Sequence, residues 1–420
     1  MLLLPALVLL SGAASVLRGG QPPGETVTGL MLAAAFAPLI CGLLLRATVP
    51  GLDLLLLSTC GMLTSISVVS LLEIARLSGG TQLFFRDILV RHAAFAVAAF
   101  GALVLGVFMS RAAPLVRRYP YLTAAAALAL IGSTMLIGTE VNGARLWVVI
   151  GPLRAQPAEV ARVLLAAFMA AYLYDRRHVL SSSWRVGRWE LPPVPYLIPV
   201  GGALALALAA LAVQNDLGMA ALTALAAFAI IAGSLRSRWS VLAMGCAVGA
   251  VVWLAAGRSP RVQVRVDNWL DPWRAPMGAG YQFIQGEYAL AWGGLGGGRI
   301  APDVRNVPEV QTDFIVSAIG AQFGVLVSSA VLALLAVAVV RSARNALMAP
   351  TELEQFIAVA LVVLLGLQIL LILGGVFRLM PLTGLTVPFV SYGGTSMLVS
   401  GFTVGVILGL GARGARLAPR

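Results

Sequence analysis

Apolar stretches of roughly 17 to 25 residues recur along the whole chain, and each is long enough to cross a hydrocarbon core of about 30 Å as a helix. Twelve such spans are expected, at about 1–17, 27–45, 54–73, 92–110, 121–139, 158–174, 195–214, 218–235, 240–257, 314–341, 355–377 and 388–412. The first has no Arg before it, so the charged start of a secretion signal is missing and a retained helix is expected. With 60% hydrophobic and only 11% charged residues in 420, the sequence excludes a water-soluble enzyme and predicts an all-α polytopic membrane protein.

The remaining polarity is unevenly placed. All 29 basic residues are Arg, and the net charge is +12. Because the Arg residues sit in short loops between apolar spans, they are read as orienting the chain in a membrane; nucleic acid is not an expected partner. With an even number of spans both termini share a side. That side holds fifteen Arg against five acids, and the other fourteen against twelve. The excess of Arg assigns both termini to the cytoplasm. Cys41, Cys60 and Cys246 stand singly in apolar segments, and only His92 and His178 are present. Disulfide frameworks, CxxC metal pairs and Ser/His/Asp triads are therefore not expected, and acid–base chemistry falls to carboxylates.

One outer connection is long, 258–313, with six Arg and six acids. It also holds Trp269, Trp273, Tyr281, Phe283, Tyr288 and Trp292, too many aromatics for a solvated linker, so it is expected to fold against the membrane surface. Its run Trp292-Gly-Gly-Leu-Gly-Gly-Gly-Arg299 is either a flexible turn or a place where backbone approaches a phosphate. Ionisable groups at span ends are functional candidates, each with a structural competitor. Glu159 and Arg162 lie one helical turn apart, as an ion pair would. Asp216 stands in the turn Gln214-Asn-Asp-Leu-Gly218, where a cap serves as well, and Asp313 stands where the long loop enters span ten, an N-cap position.

The run Pro381-Leu-Thr-Gly-Leu-Thr-Val-Pro-Phe-Val-Ser-Tyr-Gly-Gly-Thr-Ser396 resembles the signature of the SEDS family (shape, elongation, division and sporulation), whose members are of the FtsW/RodA/SpoVE type. Four further segments agree in the family's order: Asn142-Gly-Ala-Arg-Leu-Trp147 with Gln156-Pro-Ala-Glu159; Gln214-Asn-Asp-Leu-Gly218; Val264 to Trp273 leading to Gly280-Tyr-Gln282; and Thr312-Asp-Phe-Ile315. The resemblance covers about 140–412. It implies a ten-span core with two spans added at the N-terminus, a RodA-like arrangement, here 1–80 added to a core of 81–420. It further implies a peptidoglycan glycosyltransferase that polymerises lipid II at the outer face of the bacterial plasma membrane, beside a class B penicillin-binding transpeptidase and among membrane lipids.

By the same resemblance Asp313 matches the outer-loop aspartate treated as catalytic, and Arg145, Glu159 and Asp216 match other polar core positions. Two departures stand out. Gly320-Ala-Gln-Phe-Gly324 occupies a place where the family usually has two Glu, and Arg162 one where it commonly has Lys. The chemistry calls for a base, cationic help for a leaving pyrophosphate and a groove for lipid tails. Asp313 is the expected base, and Arg145, Arg265 and Arg299 the expected phosphate ligands. A divalent cation, Mg or Mn, is compatible with those hard oxygen groups, although no spacing demands it. Lipid flipping and a non-catalytic scaffold are the competing readings. The near absence of charge in mid-span disfavours flipping, and the missing Glu pair is the best support for a scaffold.

Overall fold

The computed structural model describes residues 1–17, 25–77, 82–141, 143–151, 153–180, 184–186, 189–191 and 194–235, then scattered positions between 239 and 249, then 259–297 and 304–417. The described chain is mainly helical. In order come α1 (Leu4–Leu17), α2 (Glu25–Thr48), α3 (Leu54–Leu77), α4 (Gln82–Met109), α5 (Ala113–Arg118) and α6 (Pro120–Ile137). A three-stranded antiparallel sheet follows, β1 (Thr139–Val141), β2 (Ala144–Ile150) and β3 (Leu153–Ala155). Then come α7 (Pro157–Asp175), α8 (Arg177–Leu180), the hairpin β4 (Trp184–Val186) and β5 (Trp189–Leu191), α9 (Val194–Val213) and α10 (Leu217–Ser234). The last five helices are α11 (Pro260–Leu270), α12 (Tyr281–Trp292), α13 (Ile315–Leu347), α14 (Glu352–Val376) and α15 (Gly394–Leu417).

Among the described residues ten helices are long and apolar enough to cross a membrane, and the segment Leu4–Val16 is a shorter apolar helix. The expected ninth span, 240–257, lies largely outside the described residues. Two expected boundaries move. The fourth span starts about ten residues earlier, at Gln82, because charged Arg86, Asp87 and Arg91 sit on exposed turns of the same helix. The last starts at Gly394 and not near 388, because Pro388 and the positive φ of Phe389 (63°) keep that stretch irregular.

The helices divide the polar groups between two ends. At one end ion pairs tie the helix termini together. Arg341 of α13 meets Asp53 at 2.7 Å, Arg413 of α15 meets Glu354 at 2.5 Å, Arg177 meets Glu352 at 3.0 Å and Arg117 meets Asp175 at 2.8 Å. Met1 O accepts from Ser58 Oγ at 2.9 Å, and Arg416 Nε donates to Pro50 O at 2.9 Å, so α1 and α15 each have an end here. The sheet, the turn before α10, the α11–α12 segment and the signature run 381–393 gather at the opposite end.

Backbone contact between α4 and α15 sets the centre of the bundle. A Cβ on Gly401, Gly405 or Gly409 would stand 2.3, 2.1 or 2.5 Å from the carbonyl oxygen of Ala99, Leu103 or Val107. Glycine every fourth residue gives α15 a bare stripe, and the close approach offsets the propensity cost of glycine in a helix.

Candidate functional site

Up to Gly393 the signature run does not form a helix; it forms a brace. Ser391 Oγ donates to Thr312 O at 2.6 Å, and Tyr392 N donates to Gln311 O at 2.8 Å. The same Ser391 Oγ accepts from Val387 N at 2.8 Å, so the brace is itself closed by a turn. Two side chains of the long helices hold it from beneath. Gln368 of α14 donates to Thr386 O at 2.8 Å, and Ser67 of α3 donates to Val390 O while sharing a 2.9 Å contact with His92 of α4.

Asp313 stands on the braced segment. It does not cap α13: Phe314 holds the N-cap position without a side-chain bond, and among the described residues the Asp313 carboxylate accepts no backbone N–H. The cap expected from sequence is absent because residues 309–314 close a turn of their own. The N–H groups of Thr312, Asp313 and Phe314 all point to Glu309 O, which the positive φ of Glu309 (54°) makes possible. The carboxylate is left for other work. Protein surrounds it densely although part of its surface stays open. Burial first, and the Glu309 carboxylate second, push its pKa up to about 7, against the pull of the Thr312 hydroxyl and Arg265.

Arg265, on α11, shares this space. Its Nη1 donates to Thr383 O at 3.2 Å. Gly384 adjoins both groups: a Cβ there would lie 3.7 Å from Asp313 Oδ2 and 3.9 Å from Arg265 Nη2. With φ +72° and no side chain, Gly384 leaves a gap bordered by a carboxylate and a guanidinium. Burial lowers the Arg265 pKa, and the nearby Asp313 and Asp216 oppose that shift.

Asp216 is the N-cap of α10, accepting from Met219 N at 3.0 Å, and its second oxygen accepts from Gln156 Nε2 at 3.1 Å. Burial raises its pKa against these bonds. Gln156 N in turn donates to Thr395 Oγ1 at 3.0 Å. Glu159 and Arg162 form a fully buried pair at 2.5 Å, with Ser396 beside Glu159 and a 2.5 Å contact from Ser396 to Thr386. A chain of polar contacts therefore runs from Arg162 to the signature run. Arg145 is not part of it; its exposed side chain pairs with Glu140 across the hairpin at 3.4 Å. Arg299 lies outside the described residues.

Two features were invisible in the sequence. Gln322 of α13 exchanges hydrogen bonds with Ser70 of α3, accepting from its hydroxyl at 2.7 Å and donating to its carbonyl at 3.3 Å. Arg378 donates to Trp269 O, Leu270 O and Glu287 at 3.0, 3.3 and 3.1 Å, pinning α11 and α12 to the end of α14. The glycine-rich run also has a different use from a phosphate cradle within its described part. α13 breaks at Gly324 (φ 80°), and the N–H groups of Val325 and Leu326 bond Gly294 O and Leu295 O at 2.9 and 3.4 Å. Side chains at Gly293 or Gly297 would collide with the carbonyls of Gly320 and Gln322. Among the described residues no three His, Cys, Asp or Glu side chains converge as a cation cage.

The family description "Cell cycle protein", covering FtsW, RodA and SpoVE, matches residues 49–413. The chain belongs to the FtsW/RodA/SpoVE family. It is 32% identical over 307 residues to peptidoglycan glycosyltransferase RodA of Mycobacterium tuberculosis, covering 71% of this chain and 65% of that one. It thus spans a little under two thirds of the length of that relative. It is 31% identical to stage V sporulation protein E of Bacillus subtilis, over 65% of this chain and 72% of that one. Among solved structures, a chain from a peptidoglycan synthase complex that coordinates polymerization and crosslinking superposes with a TM-score of 0.68 at 26% identity, over 86% of this chain and 98% of that one. RodA of Thermus thermophilus, at 23% identity and a TM-score of 0.60, shares the fold over 86% of this chain and 96% of that one. The FtsW/RodA/SpoVE match includes every residue of the braced site, from Gln156 to Ser396.

Proposed function

We propose that this chain polymerises lipid II into glycan strands, with Asp313 as general base. The observation that carries the reading is the uncapped Asp313 carboxylate facing Arg265 across the gap at Gly384. The acceptor's C4 hydroxyl oxygen attacks the anomeric carbon of the donor. The bond from that carbon to the pyrophosphate oxygen breaks, and the leaving polyprenyl pyrophosphate takes the electron pair. Asp313 accepts the hydroxyl proton and releases it to water. A carboxyl titrating near 7 holds a useful fraction of base at neutral pH while remaining a fair proton acceptor.

Arg265, anchored through Thr383 O, is placed to fork the pyrophosphate oxygens. Asp216 and Glu159 act behind it, keeping Gln156, Thr395 and Ser396 in register with the signature run. Arg145 remains a candidate phosphate ligand at the rim, and Arg299, outside the described residues, a further candidate. A Mg or Mn ion is assigned only as a companion of the pyrophosphate, and no step runs through it. The site end faces outward and both termini the cytoplasm, in keeping with the excess of Arg on the terminal side. The membrane is the bacterial plasma membrane, the partner a class B penicillin-binding transpeptidase, and 1–80 an addition to the 81–420 core. The names of the relatives support the glycosyltransferase reading and a crosslinking partner.

The test is polymerisation of purified lipid II by the detergent-solubilised protein, with and without a transpeptidase, beside Asp313→Asn. Glycan strands from the wild type and a loss of about 10²–10⁴-fold in the variant are expected. No product from either, with partner binding intact and an active relative working in the same assay, would leave the chain a scaffold.

A further inference from the structure

The end of the bundle opposite Asp313 carries charge that the reaction does not use. Arg117 Nε donates to Asp175 Oδ1 at 2.8 Å and joins the end of α5 to the end of α7. The chain neighbours of that pair, Arg118 and Arg176, are thereby brought to one junction. Neither has a carboxylate partner among the described residues. Each lies on a tyrosine ring instead: Arg118 is 5.3 Å from the centroid of Tyr119, and Arg176 is 3.6 Å from that of Tyr172. Arg176 is fixed further by donation from Nη1 to Tyr172 O at 3.3 Å. Tyr121 meets the same Tyr172, which is buried, edge-on at 6.1 Å, so a ring contact joins α6 to α7 beneath the two cations.

The charge around this junction is one-sided. Among the described residues the acids paired around Arg111, Arg117, Arg118, Arg176 and Arg177 are already taken: Asp175 by Arg117, Glu352 by Arg177, and Glu354 by Arg413, which also bonds Ser110 O beside Arg111. Stacking restrains a guanidinium and leaves its N–H edge free to fork a phosphate. Just beyond, Leu115 and Leu122 are 57% and 67% exposed, with Tyr119 and Tyr121 exposed beside them. The span α6 begins here, so these side chains lie where headgroup gives way to acyl chain. A free anion would have no use for the leucines, whereas a lipid uses both parts.

We propose that Arg118 and Arg176 grip the phosphodiester of an anionic phospholipid at the junction of α5 and α7, with its chains against Leu115 and Leu122.

Native mass spectrometry of the delipidated full chain tests this, titrating phosphatidylglycerol against phosphatidylcholine of the same chain length. Wild type is expected to prefer the anionic lipid by about tenfold or more. Arg118→Gln with Arg176→Gln abolishes that preference. Arg46→Gln with Arg344→Gln, a pair at the same end outside the cluster, keeps it. Inorganic phosphate does not displace the lipid. Equal binding of the two lipids by wild type, an equal loss in both double variants, or displacement by phosphate would overturn the site. Should the Gln pair unfold the protein, Arg118→Lys with Arg176→Lys decides. It keeps the charge and loses the stacked fork, so an undiminished preference in that variant also overturns the proposal.

Discussion

Asp313 stays uncapped because the turn closed on Glu309 O takes in residues 312–314 and leaves Phe314, one residue later, at the N-cap of α13. Its pKa near 7 has two measurable consequences. On the proposed role of Asp313 as base, turnover is expected to rise with pH through about 7 as the carboxyl ionises, and Asp313→Asn removes the limb with the activity. The second concerns stability. In an unfolded chain this carboxyl ionises near its ordinary value, 3.8, so folding favours its protonated form. Stability is therefore lost as pH rises from about 4 through 7. Melting curves of wild type and Asp313→Asn are expected to coincide near pH 4, with the variant melting higher at pH 8. Coincidence at both would mean that burial does not strain the charge. Sequence singled out Asp313, Asp216 and Glu159 because a carboxylate among apolar residues stands out. The partners of Gln156, Gln322 and Ser70 were not legible, since a neutral polar side chain gains meaning only from its partner, and that of Gln322 lies 252 positions away.

The elements owe their placing to glycine and amide as much as to hydrophobicity. Gln322 and Ser70 hold α13 to α3 next to the break at Gly324, and Ser70 is fully buried. Replacing Gln322 by Ala strips two hydrogen bonds and orphans a hydroxyl, a cost of about 1–3 kcal/mol that a lower melting temperature in detergent would register. Gly405→Leu is the harsher change, since its side chain meets the Leu103 carbonyl in a helix pair with no room. A loss of about 1–3 kcal/mol or more is expected, with reduced folded yield by size-exclusion chromatography. An unchanged melt would mean that α4 and α15 can separate at no cost. Long apolar runs made the helices legible. The start of α15 was not, because Val387, Phe389 and Val390 are apolar and fully buried, and pattern alone cannot tell such a loop from a span.

For the whole molecule, the two polar ends differ in design: at one, ion pairs tie helix termini together, whereas the other, with ion pairs of its own, is organised around the partly open Asp313 carboxylate. Sidedness is the prediction at this scale. In a Cys246→Ser background, a cysteine at Met277, which is 89% exposed on the site end, is expected to react with a membrane-impermeant maleimide added to spheroplasts. One at Arg344 is expected to react only after lysis, and the reverse pattern would invert the orientation. The brace from Ser391 and Tyr392 to residues 311 and 312 bears on how such a chain is made. These braces leave the ribosome about 80 residues after the segment they hold, and Thr395 and Ser396 follow them. Until then Asp313 has its loop but not its support. A nascent chain threading into the bilayer therefore carries no finished brace, and the product of a transcript cut short before residue 391 is expected to insert without the support beneath Asp313.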